Sequence, residues 1–452
     1  MRIPIIGIML LAAVVGGCKK SDRAPAKTVV TFWQPWGSDL KTALEQIVAE
    51  FERTHPDITV EMSFAANNLT SNQKLFLAIA GGCAPDVTLV DGQQLAEWAA
   101  RGALTDITEY VKEAGITGDD FWLPRWKEST FAGRVYAMPW GADPNFAMLW
   151  NKKMFREARL DPDRPPRTIE ELDQYAKKLT KFDEHGKLLR VGFIPWDWDG
   201  DNSTFTWGYA FGGDFYQEPK EGSGKLVGRV TANDPRIVKM MQWMQTHAKM
   251  FDVRLTSAFQ SNKRAFANNP FIQEEMAIRL FHVSEITWLH RYAPTIEYGI
   301  APIPAPPDGE YPTGWIGGWS MGIPRGANAS KQAFEFIRWM CASPTATVML
   351  GKLMNQMPAY RKSPYFDTVK DDKDMAVYYE ILRNSKHVRT LMPVQGYLME
   401  LLKRGVNSVL YDGADAKQVL DEVTSKAQER LEQVMARVEV RRKAVERGRE
   451  GR

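Results

Sequence analysis

The feature that most constrains the fold is a regular alternation of short strands with amphipathic helices near the N-terminus. Residues 28–33, 58–64 and 86–90 are apolar or alternating segments bounded by turn residues, which is typical of strands. Between the first two strands, apolar side chains recur at helical spacing, at Leu44, Ile47, Val48 and Phe51. Strands that alternate with helices form a mainly parallel sheet with right-handed crossovers. The sequence therefore predicts an α/β fold.

A second α/β region follows in the middle of the chain. Strand-like segments recur at residues 146–150, 191–194, 277–283 and 298–302. Among them, Thr168 opens a predicted helix with a Thr-x-x-Glu sequence, the pattern of a capping box. A chain of 452 residues is long enough for two substantial cores. We therefore predict two α/β regions, each a mainly parallel sheet flanked by helices.

The C-terminal part is predicted to be mostly helical from Ser330 onward. Beyond about residue 436 the chain is highly charged and lacks an apolar stripe. A segment that cannot bury apolar surface has little to offset its loss of conformational entropy on ordering. The sequence thus predicts a frayed helix or a disordered tail over residues 436–452.

The N-terminus has the organisation of an export signal. One charge at Arg2 precedes an apolar run from Ile5 to Val15, which at about a dozen residues is shorter than the roughly 20 that span a bilayer. The sequence Val15-Gly16-Gly17-Cys18 resembles a bacterial lipoprotein signal, in which the cysteine is lipidated after cleavage. This resemblance implies a signal peptide over 1–17, a lipidated Cys18, a tether over 18–27 and anchoring to a membrane that faces the periplasm or the cell exterior. An ordinary secretory signal with a chance cysteine is the alternative.

The two other cysteines, Cys83 and Cys341, are predicted to be small buried thiols. An exported protein permits a disulfide between them, and the sequence leaves that pairing open.

Composition and motifs argue against several functional classes. The formal net charge of +3 gives no indication of a nucleic-acid surface. We find no phosphate-binding glycine loop, no Gly-x-Ser-x-Gly elbow and no His-Glu-x-x-His sequence, and we predict no cofactor, no metal and no enzyme activity. A calcium loop at Asp197, Asp199 and Asp201 is disfavoured because its glycine and glutamate positions do not match. A glycoside hydrolase that uses two carboxylates among Asp91, Asp143 and Asp197 is the enzyme alternative.

Tryptophans and polar residues near strand ends predict a sugar site. Ligands of open α/β sheets bind beyond the carboxyl ends of the strands. The chain has 15 tryptophans, several of them beside turns. An aromatic ring can cover the apolar face of a sugar while carboxylates and amides bind its hydroxyls. For each ring the alternative is that it packs beneath one of the two α/β regions. The predicted ligand-binding residues are Gln34, Trp36, Asn67, Asp91, Trp140, Asp143, Trp196, Asp197, Trp198, Trp315, Gly317, Gly318 and Trp319.

Seven short blocks of sequence follow one another in order over roughly residues 28–430. The blocks are Val30-Thr31-Phe32-Trp33, Ala84-Pro85-Asp86-Val87, Tyr136-Ala137-Met138-Pro139, Leu149-Trp150-Asn151-Lys152, Pro166-Arg167-Thr168-Ile169-Glu170-Glu171-Leu172, Tyr298-Gly299-Ile300-Ala301-Pro302-Ile303-Pro304 and Gly317-Gly318-Trp319. Only their order and spacing are specific. Together they resemble one family, the extracellular solute-binding proteins of bacterial ABC sugar transporters, which includes maltose-binding protein.

The resemblance implies two discontinuous lobes that are joined by a hinge of several segments and close over a ligand. We expect the first lobe over 28–139 and 279–325, and the second over 140–278 and a helical part at 326–435. The expected crossings lie near 139–142, 276–280 and 324–326.

The same resemblance implies a function in import. The chain would act as a monomer that delivers a sugar or oligosaccharide to a membrane permease with a cytoplasmic ATPase. A glycerol-phosphate-type or polyol ligand is the alternative within the family, although the strand-end loops are poor in Arg and Lys.

Overall fold

The computed structural model describes residues 27–65, 69–196, 200–219, 227–261 and 268–450. The predicted signal peptide, Cys18 and nearly all of the predicted tether lie outside these ranges, as do Asn67, Asp197 and Trp198. None of the helices in the described ranges combines the length and the apolar character that a membrane crossing requires.

The first sheet has five strands, and its parallel part confirms the predicted α/β pattern. The strand order is β2-β1-β3-β16-β6, in which β1 pairs in parallel with β2 and β3, whereas β16 is antiparallel to both β3 and β6. The bounds are β1 Thr28–Gln34, β2 Ile58–Phe64, β3 Val87–Asp91, β6 Ala137–Pro139 and β16 Trp319–Gly322.

Helices cover this sheet because each presents an apolar stripe to it. In α1 the side chains of Leu44, Ile47, Val48 and Phe51 are buried, as their spacing predicts. Asp91 ends β3 and caps α3, since its side chain accepts a hydrogen bond from the Gln93 amide at 3.3 Å. The helices of this region are α1 Ser38–Thr54, α2 Leu69–Ala80, α3 Gly92–Arg101, α4 Thr108–Glu113, α5 Leu123–Glu128, α12 Ser330–Ala342 and α13 Pro344–Met354.

The second sheet differs from the prediction of a mainly parallel arrangement. Its strands β8 (Ala147–Asn151), β13 (Ile278–Phe281) and β14 (Tyr298–Pro302) lie in the order β13-β8-β14, and both pairings are antiparallel. The predicted strand at 191–194 contributes only an isolated parallel bridge between Val191 and Met276. Short apolar runs predict strands without specifying their direction, which the connections determine.

The second region is predominantly helical around this sheet. The side chain of Thr168 caps α7 as predicted by accepting a hydrogen bond from the Glu171 amide at 3.2 Å. The helices are α6 Lys152–Glu157, α7 Ile169–Leu179, α8 Gly200–Ala210, α9 Pro235–Met250, α10 Val253–Ser261, α11 Glu285–Tyr292, α15 Lys373–Asn384, α16 Gln395–Tyr411 and α17 Ala416–Glu450. Helix α14, Tyr365–Thr368, lies in the segment between α13 and α15 and packs on α13.

Four two-stranded ribbons complete the described strands. Each pairing is antiparallel. The ribbons join β4 Thr130–Phe131 with β5 Arg134–Val135, β7 Asp143–Asn145 with β15 Trp315–Gly317, β9 Lys181–Phe182 with β10 Leu188–Arg190, and β11 Tyr216–Gln217 with β12 Arg229–Val230.

Within the described ranges the chain passes between the two sheets three times, and the first of these passages overlaps the expected crossing at 139–142. Residues 140–146 connect β6 to β8, residues 303–318 connect β14 to β16, and residues 355–372 connect α13 to α15. The predicted crossing at 276–280 instead lies largely within β13, and the one at 324–326 precedes a helix that packs on the first sheet.

These passages change the predicted lobe boundaries. Residues 279–302 were expected in the first lobe, but β13 and β14, at the two ends of this range, pair with β8 in the second sheet. Helices α12 and α13 pack against β1, β16 and α1, so this part of 326–435 does not belong to the second lobe. An apolar helix face indicates burial without naming the sheet that buries it, which explains both errors.

The charged C-terminal segment forms part of one long helix. Helix α17 continues through Glu450, beyond the predicted boundary at 436. Its buried positions include Leu420, Val423, Ala427, Leu431 and Met435. The packed first half of α17 therefore stabilises a charged extension whose own composition does not favour a helix.

The two cysteines within the described ranges are unbonded. Cys341 is buried as predicted, whereas Cys83 is exposed at the end of α2.

Candidate functional site

A cleft of about 910 Å³ lies between the two lobes, and seven predicted residues line it. Its foot includes residues of the β7–β15 ribbon, which connects the two sheets. The predicted residues that line it are Trp36, Asp91, Asp143, Trp315, Gly317, Gly318 and Trp319.

Tryptophans form one wall of the cleft. The ring of Trp36 lies 5.5 Å from that of Trp140 and 5.3 Å from that of Trp319, measured between centroids. Trp36 and Trp319 are half-buried and line the cleft, whereas Trp140 is fully buried behind them. The wall thus presents two ring surfaces supported by a third ring.

Gln34 and Trp140 support this wall without lining the cleft. The Gln34 side chain is buried, and its Oε1 accepts a hydrogen bond from the Trp36 amide at 2.6 Å. The strand-end rule selects Gln34 for its position, but the side chain is turned toward the backbone of the next loop.

Trp315 begins β15, which lies in the segment that connects the second sheet to the first. Its ring is only 2% exposed, and its Nε1 donates a hydrogen bond to Thr206 Oγ1 at 2.9 Å. The guanidinium carbon of Arg389 lies 4.9 Å from the ring centroid. Trp315 therefore has a fixed orientation, with a cation over one face.

An ion pair spans the cleft between the lobes. Asp91 ends β3 of the first sheet, and Arg389 follows α15 of the second lobe; their side chains meet at 2.7 Å. Asn202 of α8 lies 3.5 Å from the same guanidinium. Sequence analysis missed Arg389 because it lies in an irregular segment with no strand end or motif nearby.

Asp143 is a buried carboxyl at the foot of the cleft. Burial raises its pKa to about 7, and the nearby positive charge of Arg125 only partly opposes this rise. Its Oδ2 lies 3.9 Å from His282 Nε2. Burial, assisted by the charge of Arg389, lowers the pKa of His282 to about 4, so this ring is neutral at pH 7.

Arg125 lies beneath the cleft and connects its foot to the first sheet. Its Nε donates to the Gly141 carbonyl at 2.9 Å, its Nη2 donates to Ser320 Oγ at 3.0 Å, and its Nη1 is paired with Glu128. The guanidinium is fully buried, and burial lowers its pKa to about 10, which leaves it charged at neutral pH. It therefore fixes Gly141 and Ser320, which flank two of the three passages.

Gly318 is required by backbone packing. It has a φ of +124°, and a Cβ there would lie 2.5 Å from the Gly141 carbonyl oxygen. This glycine lets the first two passages approach each other closely, which accounts for it without invoking a ligand.

Trp196 lies outside the cleft, contrary to its prediction as a ligand-binding residue. Its ring packs against the second core, because the turn that carries it folds back onto that core. Sequence analysis also missed several residues that line the cleft, for which no motif gives a signal: Asn145, Asn202, His282, Trp288, Tyr292, Gln356 and Arg389.

The cleft combines aromatic faces with both hydrogen-bond donors and hydrogen-bond acceptors. Half-buried rings can pack on apolar ligand faces, and Asp143, Asn145, Asn202 and Gln356 can bind hydroxyl groups. Across the described ranges, no cluster of three or more His, Cys, Asp or Glu side chains could hold a metal ion.

We predict that Asp143→Asn changes the pH dependence of stability. Because the folded-state pKa of about 7 lies above the unfolded value of 3.8, Asp143 contributes stability below pH 4 that is lost as pH rises to 7. The stability of the variant relative to wild type should therefore rise by roughly 2–4 kcal/mol between pH 4 and 7. Urea unfolding at several pH values measures this difference, and a pH-independent difference would contradict the assignment.

The fold resembles solved binding proteins along most of its length. CpMnBP1, solved with mannotriose bound, matches with a TM-score of 0.76 and 22% identity over 89% of this chain and all of that chain. UgpB from Mycobacterium tuberculosis, solved with glycerophosphocholine, matches with a TM-score of 0.70 and 20% identity over 91% of this chain and 99% of that chain. The two-lobed fold of periplasmic binding proteins is thereby confirmed.

The curated relatives match a smaller part of this chain. An uncharacterized lipoprotein from the oleD 5' region of Streptomyces antibioticus is 31% identical over 191 residues, which is 40% of each chain. The sn-glycerol-3-phosphate-binding periplasmic protein UgpB of Escherichia coli is 26% identical over 172 residues, 37% of this chain and 39% of that protein. The chain thus spans about two fifths of the length of the curated relatives it matches.

The predicted family resemblance is confirmed over a longer stretch. The family model described as bacterial extracellular solute-binding protein matches residues 36–346, well over half of the chain. The chain belongs to the bacterial extracellular solute-binding proteins.

Proposed function

We propose that this protein binds a neutral sugar or oligosaccharide in the interlobe cleft and delivers it to the permease of an ABC import system. The observation that carries the proposal is the wall of Trp36, Trp140 and Trp319 facing a cleft rich in hydrogen-bonding groups. Rings of this kind pack on the C–H faces of sugars, and amides and carboxylates bind paired hydroxyls. The mannotriose named for CpMnBP1 is consistent with this ligand class.

A phosphorylated ligand is the second candidate. Arg389 lines the cleft, although the strand-end loops are poor in Arg and Lys, and both UgpB proteins are named for phosphate-containing ligands. However, Asp91 already neutralises Arg389, and Asp39 pairs with the other arginine of the lining, Arg291, at 3.0 Å. Lys352 also lines the cleft, but both guanidinium groups, which would bind phosphate oxygens in pairs, are already engaged, so we favour a neutral ligand.

Calorimetric titration distinguishes the candidates. We expect saturable binding of a neutral oligosaccharide from a panel that includes mannotriose and maltose, with weaker binding of glycerophosphocholine. Chromatography of the same mixtures after prolonged incubation should recover the sugar intact, as expected for a binding protein without enzyme activity. Tighter binding of the phosphodiester would favour the second candidate, and cleavage products would favour a hydrolase.

The three passages between lobes suggest how binding is coupled to delivery. A ligand shifts the populations of open and closed forms only by binding the closed form more tightly, which requires contacts from both lobes. Asp91 and Trp36 on one side, with Asn202 and Arg389 on the other, can supply such contacts. The chain has no nucleotide-binding motif, so we propose that the energy for transport comes from an ATPase attached to the permease.

We further propose that the protein is exported and lipid-anchored through Cys18. The small residues before this cysteine and the lipoprotein relative of Streptomyces antibioticus support the proposal. A diacylglycerol thioether plus an N-acyl chain supplies the two or more chains that stable anchoring needs.

The anchor is tested by Cys18→Ser. We expect the variant either to appear in the soluble fraction or to keep an uncleaved signal, because no thiol is available for lipidation. Membrane fractionation and intact-mass measurement give the answer. A variant that is processed and membrane-bound like the parent would rule out the anchor.

A further inference from the structure

A second cavity of about 330 Å³ lies between α3 of the first lobe and helices α16 and α17 of the second. We call it the arginine groove, because Arg101, Arg430, Arg437 and Arg441 line it with a single carboxylate, Glu97. The apolar part of its lining comes from Ala100, Pro393, Val394, Tyr397, Val434 and Val438.

The C-terminal part of α17 builds one side of this groove. Arg430, Val434, Arg437 and Arg441 are spaced by four, three and four residues, which places them on one face of the helix. Arg441 also reaches the first lobe, since its Nη1 donates a hydrogen bond to the Ala100 carbonyl at 3.2 Å. This face of α17 thus carries three arginines that line the groove, one of which contacts α3.

The groove has an excess of positive charge. Glu97 is already paired with Arg101 at 2.7 Å, and Arg101 is further held over the Phe76 ring at 5.1 Å. Within the described part of the chain, Arg430 and Arg437 have no carboxylate within ion-pair distance, unlike Lys417 and Lys426, which are paired on the same helix. The described lining thus contains four guanidinium groups and one carboxylate, which leaves an excess of three positive charges.

We propose that the arginine groove is a second binding site, which takes the phosphate group of a small anion or of a phospholipid head. Guanidinium groups bind phosphate oxygens through paired, charge-assisted hydrogen bonds. The cavity is about the size of a small ligand, and its four arginines are exposed, so a phosphate group can reach them from solvent. Because both lobes form the groove, a bound anion contacts both of them.

The site is tested by titrating inorganic phosphate into purified protein, with sodium chloride at matched ionic strength as the reference. We expect saturable phosphate binding that becomes at least tenfold weaker in Arg430→Gln/Arg437→Gln. The matched control is Arg53→Gln/Arg338→Gln, which removes the same charge from exposed positions of α1 and α12 that line neither cavity and should bind phosphate like wild type.

A second arm identifies the source of the phosphate group. Vesicles of phosphatidylglycerol are compared with vesicles of phosphatidylcholine, using Cys18→Ser protein so that the proposed anchor does not contribute. Loss of anionic-vesicle binding in Arg430→Gln/Arg437→Gln, without binding of free phosphate, would assign the site to a lipid head. Phosphate binding that survives this change but is lost in Arg389→Gln would place the anion in the cleft and overturn the proposal, as would equal losses in the control or no binding in either arm.

Discussion

Replacing Arg125 with methionine is expected to lower the free energy of unfolding by about 3–5 kcal/mol, the range for removing one partner of a buried ion pair. The substitution leaves Glu128 buried without its partner at 2% side-chain exposure. It also removes the donors to the Gly141 carbonyl and to Ser320 Oγ, which hold two passages at the foot of the cleft. Urea denaturation at pH 7 measures the change.

Two companion variants separate this mechanism from a general loss of charge. Arg53→Met breaks an exposed Arg–Glu pair with the same three-residue separation and should change stability far less. Arg125→Met/Glu128→Met replaces both charges by apolar groups and should recover part of the loss. Equal effects of Arg125→Met and Arg53→Met would contradict the role given to the buried pair.

Alanine at Trp36 or Trp319 is expected to weaken sugar binding by about 1–3 kcal/mol, or roughly 5- to 150-fold in the dissociation constant. Each substitution removes a ring that lines the cleft, whereas Trp140 remains behind it. Trp196→Ala is the matched control, since this ring packs on the second core outside the cleft and its loss should leave affinity unchanged. Calorimetry on folded variants gives the comparison.

The opposite pattern would reject stacking on this wall. Unchanged affinity in both Trp36→Ala and Trp319→Ala would mean that ligand does not contact the wall. A loss in Trp196→Ala equal to theirs would mean that general destabilisation, rather than ring contact, accounts for the effect.

The parallel part of the first sheet was predictable because local signals determine its strands and helices. In α1, the spacing of Leu44, Ile47, Val48 and Phe51 predicts the helix and its buried face. The parallel pairing of the flanking strands β1 and β2 follows from the strand–helix–strand order. The arrangement of the second sheet was not predictable, since the pairing of β8 with β13 joins segments that are far apart in sequence. Nothing in a short apolar run encodes its partner or direction.

The candidate site was predictable where a side chain follows a strand of the first sheet. Trp36 follows β1 and Asp91 ends β3, and both line the cleft. Arg389 was missed because only the tertiary fold brings an irregular segment of the second lobe to within 2.7 Å of Asp91. Gln34 ends β1 and Trp140 follows β6, but both side chains are buried, and the sequence does not reveal which way a side chain at a strand end turns.

The central claim is that one ligand is held by both lobes at once, which solution scattering tests most directly. Small-angle X-ray scattering is recorded for the protein alone and saturated with the sugar that binds best in calorimetry. We predict that the radius of gyration falls on saturation, because the lobes close around the ligand by bending at the three passages. A radius of gyration that stays the same at full saturation would contradict closure and the two-walled site.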